Sequence, residues 1–179
     1  MEARVLVGVT GPPGCGKTTT VEIVANILRA RGKSVGGILS QEVRAAGRRV
    51  GFDIIDIETQ ESVPLARESG EPGPRIGRYR VYVENLDRVA SDIIEKSLNA
   101  GAIVIIDEVG PMELMSLRFR DVLRRVLKEA SNAILTLHFR SLDPLLLEAR
   151  SAMTRMIVLR RGEAQAVARE IVSIFTEKG

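Results

Sequence analysis

With 179 residues, 45% of them hydrophobic, the chain can bury one sizeable core and is too short for two ordinary domains, so a single domain over residues 1–179 is expected. Its 26 basic and 23 acidic side chains are interspersed and leave a net charge of only +3, and with no tryptophan, two tyrosines and four phenylalanines it offers few platforms for exposed bases, so nucleic acid is not an expected partner. One cysteine excludes an internal disulfide framework and a cysteine-rich metal site, and neither a signal peptide nor an apolar run of ~18 residues is present, so the expectation is a cytoplasmic monomer without a membrane partner.

Residues 4–9, RVLVGV, read as a buried strand. After a glycine-rich turn, Val21, Val24, Ala25 and Leu28 recur at helical spacing until Gly32 stops the helix. VGGILS (35–40) is a second strand, and VRAAGRRVGFDIIDI (43–57) splits into two β-like halves at Gly47, which predicts a hairpin. Residues 58–77 carry several prolines and glycines without clear period and are expected to form a loop or small excursion. YRVYV (79–83) alternates like a half-buried strand, and Leu86, Val89, Ala90 and Ile93 then share one face of a helix closed by Gly101. AIVIIDE (102–108) is a continuous apolar strand ending in two acids. A helical stripe of Phe119, Val122, Leu123, Val126, Leu127 and Ala130 precedes the strand AILTL (133–137). A short helix over 143–150, a strand MIVL (156–159) and a helix carrying Val167, Ala168, Ile171 and Phe175 complete the order.

Alternating strands and helices, with continuous apolar runs in several strands, predict an α/β protein whose mostly parallel sheet is covered on both faces, with the hairpin at Gly47 as an antiparallel insertion. Ligands of such sheets sit beyond the carboxyl ends of the strands, where this chain gathers residues 11–18, 107–108 and 138–140.

Gly11, Pro12, Pro13, Gly14, Cys15, Gly16, Lys17 and Thr18 spell G-x-x-x-x-G-K-T between the first strand and the first helix. Backbone amides of such a turn point inward at a phosphate, and the helix adds its free N–H groups and positive dipole end. Lys17 would reach the β and γ phosphates, the Thr18 hydroxyl would ligate Mg2+, and Thr19 continues the phosphate-binding stretch. Asp107, at the end of a buried strand, fits a carboxylate that holds Mg2+ through its water shell, while Glu108 faces another way and can serve the attacking water as base. His138, the single histidine, and Arg140 follow a strand near the same place. Arg140 is a candidate for neutralising transition-state charge. For His138 the plainer account is a satisfied strand-end polar residue, beside a γ-phosphate contact. For Arg44, Arg48 and Arg49 the plainer account is a solvated sheet edge.

Four stretches, GPPGCGKTT, GGILSQEVRAAGRRVGFDIIDI, GRYRVYVENLD and IIDEVGPMELMS, taken in order from Val5 to about Arg124, together resemble the THEP1-like nucleoside-triphosphatase family, also called the cancer-related nucleoside-triphosphatase family. The resemblance implies the P-loop fold, a three-layer α/β/α sandwich, in the class with a catalytic glutamate beside the metal-binding aspartate, and slow Mg2+-dependent hydrolysis of ATP, GTP, CTP and UTP with little base specificity. It also implies a second nucleotide-contact stretch of Val104, Ile105, Ile106, Asp107, Glu108, Val109, Gly110 and Pro111. Many members resemble DEIGKME there, whereas this chain has Pro111 in place of the lysine. That lysine's role is then absent or met by another cation such as Arg140.

Two other readings share these parts. A nucleoside or nucleotide kinase would need an acceptor pocket and an arginine-bearing lid, and RSLDPLLLEAR and VLRRG supply arginines without a clear lid. A nucleotide-binding adaptor would hydrolyse only incidentally. A regulatory GTPase would need the tetrapeptide N-K-x-D, which the sequence lacks.

Overall fold

The computed structural model describes residues 3–177. Strand β1 (Val5–Thr10) is buried along its whole length and runs through the glycine turn into helix α1 (Lys17–Ala30). Strands β2 (Val35–Ala45), β3 (Arg48–Asp56), β4 (Ser62–Glu68), β5 (Arg75–Ile76) and β6 (Tyr79–Val81) follow. Next come α2 (Val83–Asn85), a π turn (Leu86–Ala90) and α3 (Ser91–Asn99). The chain continues through β7 (Ile103–Val109), a 3-10 turn (Glu113–Met115), α4 (Leu117–Glu129), β8 (Asn132–Leu137), α5 (Pro144–Ala152), β9 (Arg155–Val158) and α6 (Ala164–Thr176).

Among the described residues, these strands form one sheet in the order β5-β6-β4-β3-β2-β7-β8-β1-β9. The five strands from β2 to β9 in that order are parallel neighbours. Side-chain alternation divides their apolar residues between two cores. Val7, Val9, Ile105 and Ile134 pack with Val21, Val24 and Leu28 of α1 and Val167, Ile171 and Phe175 of α6. Their neighbours Leu6, Val104, Ile106 and Leu135 turn to the other face, against Ile94 of α3, Phe119 and Leu123 of α4 and Leu146 of α5. Helices therefore cover both faces, as the sequence pattern predicts. No described helix is long and apolar enough to cross a membrane.

The hairpin at Gly47 forms, with β2 and β3 antiparallel from Ile38 opposite Asp56 to Ala45 opposite Arg48. Residues 58–77, expected as a loop or small excursion, contribute β4 and β5, so the hairpin grows into an antiparallel extension of the sheet. Pro64 hides β4 in the sequence because proline cannot donate to a ladder. Here the β3–β4 register shifts between Phe52 and Asp53, Pro64 falls opposite Asp53, and the neighbouring Leu65 and Ala66 are buried. The strand expected over 79–83 ends at Val81, and the helix expected from Leu86 begins at Val83 and passes through the π turn. Arg44 and Arg49 both pair with Glu42, and Arg48 pairs with Glu68 across the extension, with Arg44, Arg48 and Glu42 exposed and Arg49 and Glu68 half-buried. Each such pair contributes at most about 1 kcal/mol, which matches a solvated edge.

Candidate active site

The strand order places β8 between β1, which leads into the glycine turn, and β7, which carries the acids. Thr10, Leu137 and Val109 lie level across the three strands. All three strands therefore deliver their carboxyl ends to one edge of the sheet.

The glycine turn is shaped to leave amides free. Gly16, at φ +103°, adopts a left-handed conformation that a side chain would resist, and it precedes α1 without a side-chain cap or an acid in the first helical turn. The Lys17 ammonium folds back over the turn, donating to the carbonyl oxygens of Gly11 at 2.9 Å and Pro12 at 3.5 Å. A cleft of about 230 Å³ lies against the turn, lined by Pro12, Pro13, Gly14, Cys15 and Arg161. A larger groove of about 520 Å³, lined by Val83, Asp87, Met115, Leu117 and Arg118, includes neither the glycine turn nor the two acids.

Asp107 is 1% exposed and fully engaged. Its Oδ1 accepts the Thr136 hydroxyl at 2.6 Å and its Oδ2 accepts the Ser40 amide at 3.1 Å, and the nearby Thr18 hydroxyl favours its ionised form. Burial pushes its pKa up against these hydrogen bonds and the Lys17 charge. The Asp107–Glu108 peptide is cis, and the β7–β8 register shifts between Ile106 and Val109. Glu108 is raised to about 7, first by burial and then by Asp107, with Lys17 opposing.

A third carboxyl group joins them. A Cβ placed on Gly110 would lie 2.7 Å from Glu108 Oε1 and 3.2 Å from Glu113 Oε2, so both side chains close over this glycine. Glu113 is buried, and burial followed by the Glu108 charge holds its pKa well above the ordinary glutamate value, against the nearby amides of Glu113 and Gly110.

Thr18 and Asp107 lie near each other and offer two hard oxygens, a hydroxyl and a carboxylate. That donor set suits Mg2+, which takes one or two protein oxygens and leaves its other positions to water and phosphate.

The chain that builds this geometry matches the family described as NTPase over residues 6–172. Nucleoside-triphosphatase THEP1 of Methanopyrus kandleri is 44% identical over 151 residues, which are 84% of this chain and 83% of that protein. The chain belongs to the THEP1 nucleoside-triphosphatase family. The crystal structure of THEP1 from the hyperthermophile Aquifex aeolicus matches with a TM-score of 0.83 at 30% identity, covering 96% of this chain and 99% of that one. The solution structure of a human cancer-related nucleoside triphosphatase matches with a TM-score of 0.79 at 28% identity, covering 99% of this chain and 100% of that one.

The THEP1 family match thus runs past Arg124, where the motif resemblance loosens, to α6. Within this THEP1-family chain, residues 11–19 follow β1, Asp107 and Glu108 stand at the carboxyl end of β7, and Gly110 and Pro111 come directly after it. Val104, Ile105, Ile106 and Val109 turn fully buried side chains into the two cores, so they carry the acids rather than line the cleft. Arg140 is exposed, and its guanidinium has no hydrogen bond or ion pair among the described residues. His138 is half-buried, with Nδ1 accepting the amides of Arg140 at 3.3 Å and Ser141 at 3.1 Å. Sequence reasoning passed over Glu113, Thr136 and Arg161. Glu113 closes the stretch DEVGPME, and an acid just beyond a Gly-Pro turn that follows paired acids is the signal that points to it.

Proposed function

We propose that the chain hydrolyses nucleoside triphosphates to the diphosphate and phosphate, with Mg2+ and with little preference among ATP, GTP, CTP and UTP. One observation carries the reading: a glycine turn with free amides and an ammonium stands one strand away from the Asp107–Glu108 pair. The amides of Gly14 and of residues 16–19 bind the phosphates, Pro12 and Pro13 having none to give, and Lys17 exchanges its contacts with Gly11 and Pro12 for phosphoryl oxygens. Thr18 and Asp107 would hold Mg2+, which when bound supplies charge neutralisation on the phosphates. Glu108 orients water for in-line attack and takes its proton. The absence of the tetrapeptide N-K-x-D, which would read guanine, supports base tolerance.

The test is phosphate release from each of the four triphosphates, with Mg2+ or EDTA, and with or without nucleoside and monophosphate acceptors. Free phosphate without acceptor, dependent on Mg2+, supports the hydrolase. Label transferred to an acceptor would make the chain a kinase, and tight binding with negligible turnover would make it an adaptor.

A further inference from the structure

We propose that His138 is a neutral hydrogen-bond donor to the terminal phosphoryl group, presenting its Nε2–H from the strand that separates the glycine turn from the acids. The inference rests on the hydrolase reading above and adds to it a residue that touches the transferred group.

Position comes first. His138 directly follows Leu137, which lies level with Thr10 on one side and Val109 on the other. The Thr10 hydroxyl donates to the Leu137 carbonyl at 2.8 Å, and the His138 amide donates to the Val109 carbonyl at 3.0 Å. His138 therefore sits between Gly11, whose carbonyl holds the Lys17 ammonium at 2.9 Å, and the end of the strand carrying Glu108.

The tautomer follows from the hydrogen bonds. Backbone amides can only donate, so Nδ1, which faces the amides of Arg140 and Ser141, must carry its lone pair. The ring proton then resides on Nε2, on the opposite edge of the imidazole. The turn that fixes the ring is itself anchored. Arg150 donates to the carbonyls of His138 and Phe139, Asp143 donates its amide to Ser141 Oγ, and Arg120 pairs with Asp143. Burial, then Lys17, then Arg150 lower the imidazole pKa, so the ring donates without bringing a charge of its own. A preorganised donor of this kind acts most where negative charge grows on the phosphoryl oxygens.

A purely structural role, in which Nδ1 merely caps the turn, makes opposite forecasts for two substitutions. H138N keeps an acceptor near the Nδ1 position and drops the distal donor. H138Q places an amide nitrogen near the Nε2 position and drops the acceptor. Loss of the donor is expected to lower kcat by roughly 10²- to 10³-fold in H138N and to narrow the preference for triphosphate over diphosphate in binding, while H138Q stays within about threefold of the parent. A parent-like kcat and a parent-like ratio of Kd values in H138N, or a fall in H138Q as deep as in H138N, overturns the proposal.

Because His138 is the chain's single histidine, imidazole nitrogen NMR reads it without assignment and without mutation. The expected spectrum is the Nε2–H tautomer, whose Nε2 resonance moves with Mg2+ and a non-hydrolysable ATP analogue and moves little with ADP. An Nδ1–H tautomer, or equal responses to the two nucleotides, overturns the proposal even if a variant fails to fold. Hydrolysis by the parent alongside a silent His138 sinks this inference alone. A parent that neither binds nor hydrolyses triphosphate removes the hydrolase reading and this inference with it.

Discussion

Thr136 donates its hydroxyl to Asp107 at 2.6 Å across the β7–β8 pair, and both side chains are sealed from solvent. Thr136→Val keeps the shape and removes the donor, leaving a buried carboxylate oxygen without a partner. A loss of about 1–3 kcal/mol in stability is expected, as for other buried polar groups stripped of a hydrogen bond. Urea unfolding measures it, and calorimetric titration should show weaker binding of Mg2+ with nucleotide. An unchanged unfolding midpoint would show that the bond contributes nothing.

Lys17 and Glu108 should separate binding from turnover. Lys17→Ala removes the ammonium at the glycine turn and should weaken triphosphate binding. Glu108→Gln keeps the shape, so binding should persist while turnover falls by roughly 10²- to 10⁴-fold, the usual contribution of a general base. Equilibrium binding beside steady-state phosphate release tests both, and a Glu108→Gln enzyme as fast as the parent would remove Glu108 from the role of base.

Glu113 gives a pH signature in the free protein. Its folded pKa lies above the ordinary glutamate value, so folding favours the protonated acid. The stability it contributes is complete below the unfolded glutamate pKa and declines as pH rises through the folded one. Glu113→Gln cannot ionise and should melt higher than the parent at pH 8, with the gap closing toward pH 4. Melting curves across that range check the sign. A constant gap would show that folding leaves the pKa of this carboxyl where it stands in the unfolded chain.

Gly37, in β2, has φ +118°, and a Cβ there would lie 1.9 Å from the Ile105 carbonyl oxygen of β7. Backbone on both sides leaves no room for relief, so Gly37→Ala should destabilise by roughly 3 kcal/mol or more. Because β2 also supplies the Ser40 amide to Asp107, nucleotide binding should fall with stability. Denaturant unfolding with and without nucleotide measures both effects.

The glycine turn and the apolar strand ending in two acids were legible because each is a local pattern with a local cause. Valines and isoleucines buried on both faces make an unbroken apolar run, and a phosphate nest needs glycine where a side chain would intrude. The Gly47 hairpin was equally readable. Strand β4 was not, since Pro64 mimics a loop residue and the pairing that rescues it comes from β3. Nor was the Asp107–Thr136 bond, which depends on two strands meeting in register. Glu113 reads as one more acid near a turn until folding brings it over Gly110 beside Glu108.

Strand β8 contributes neither the glycine turn nor the acids, yet its alignment with both neighbours governs what they meet. Side chains alternate along a strand, so slipping β8 by a single residue would bring Leu135 or Leu137 toward Asp107 and carry His138 away from Gly11. One deletion in the six residues from Asn132 to Leu137 should thus disarm the edge of the sheet while sparing every residue of the G-x-x-x-x-G-K-T motif. An intact motif is therefore no guarantee of a working molecule when the length of this inner strand changes.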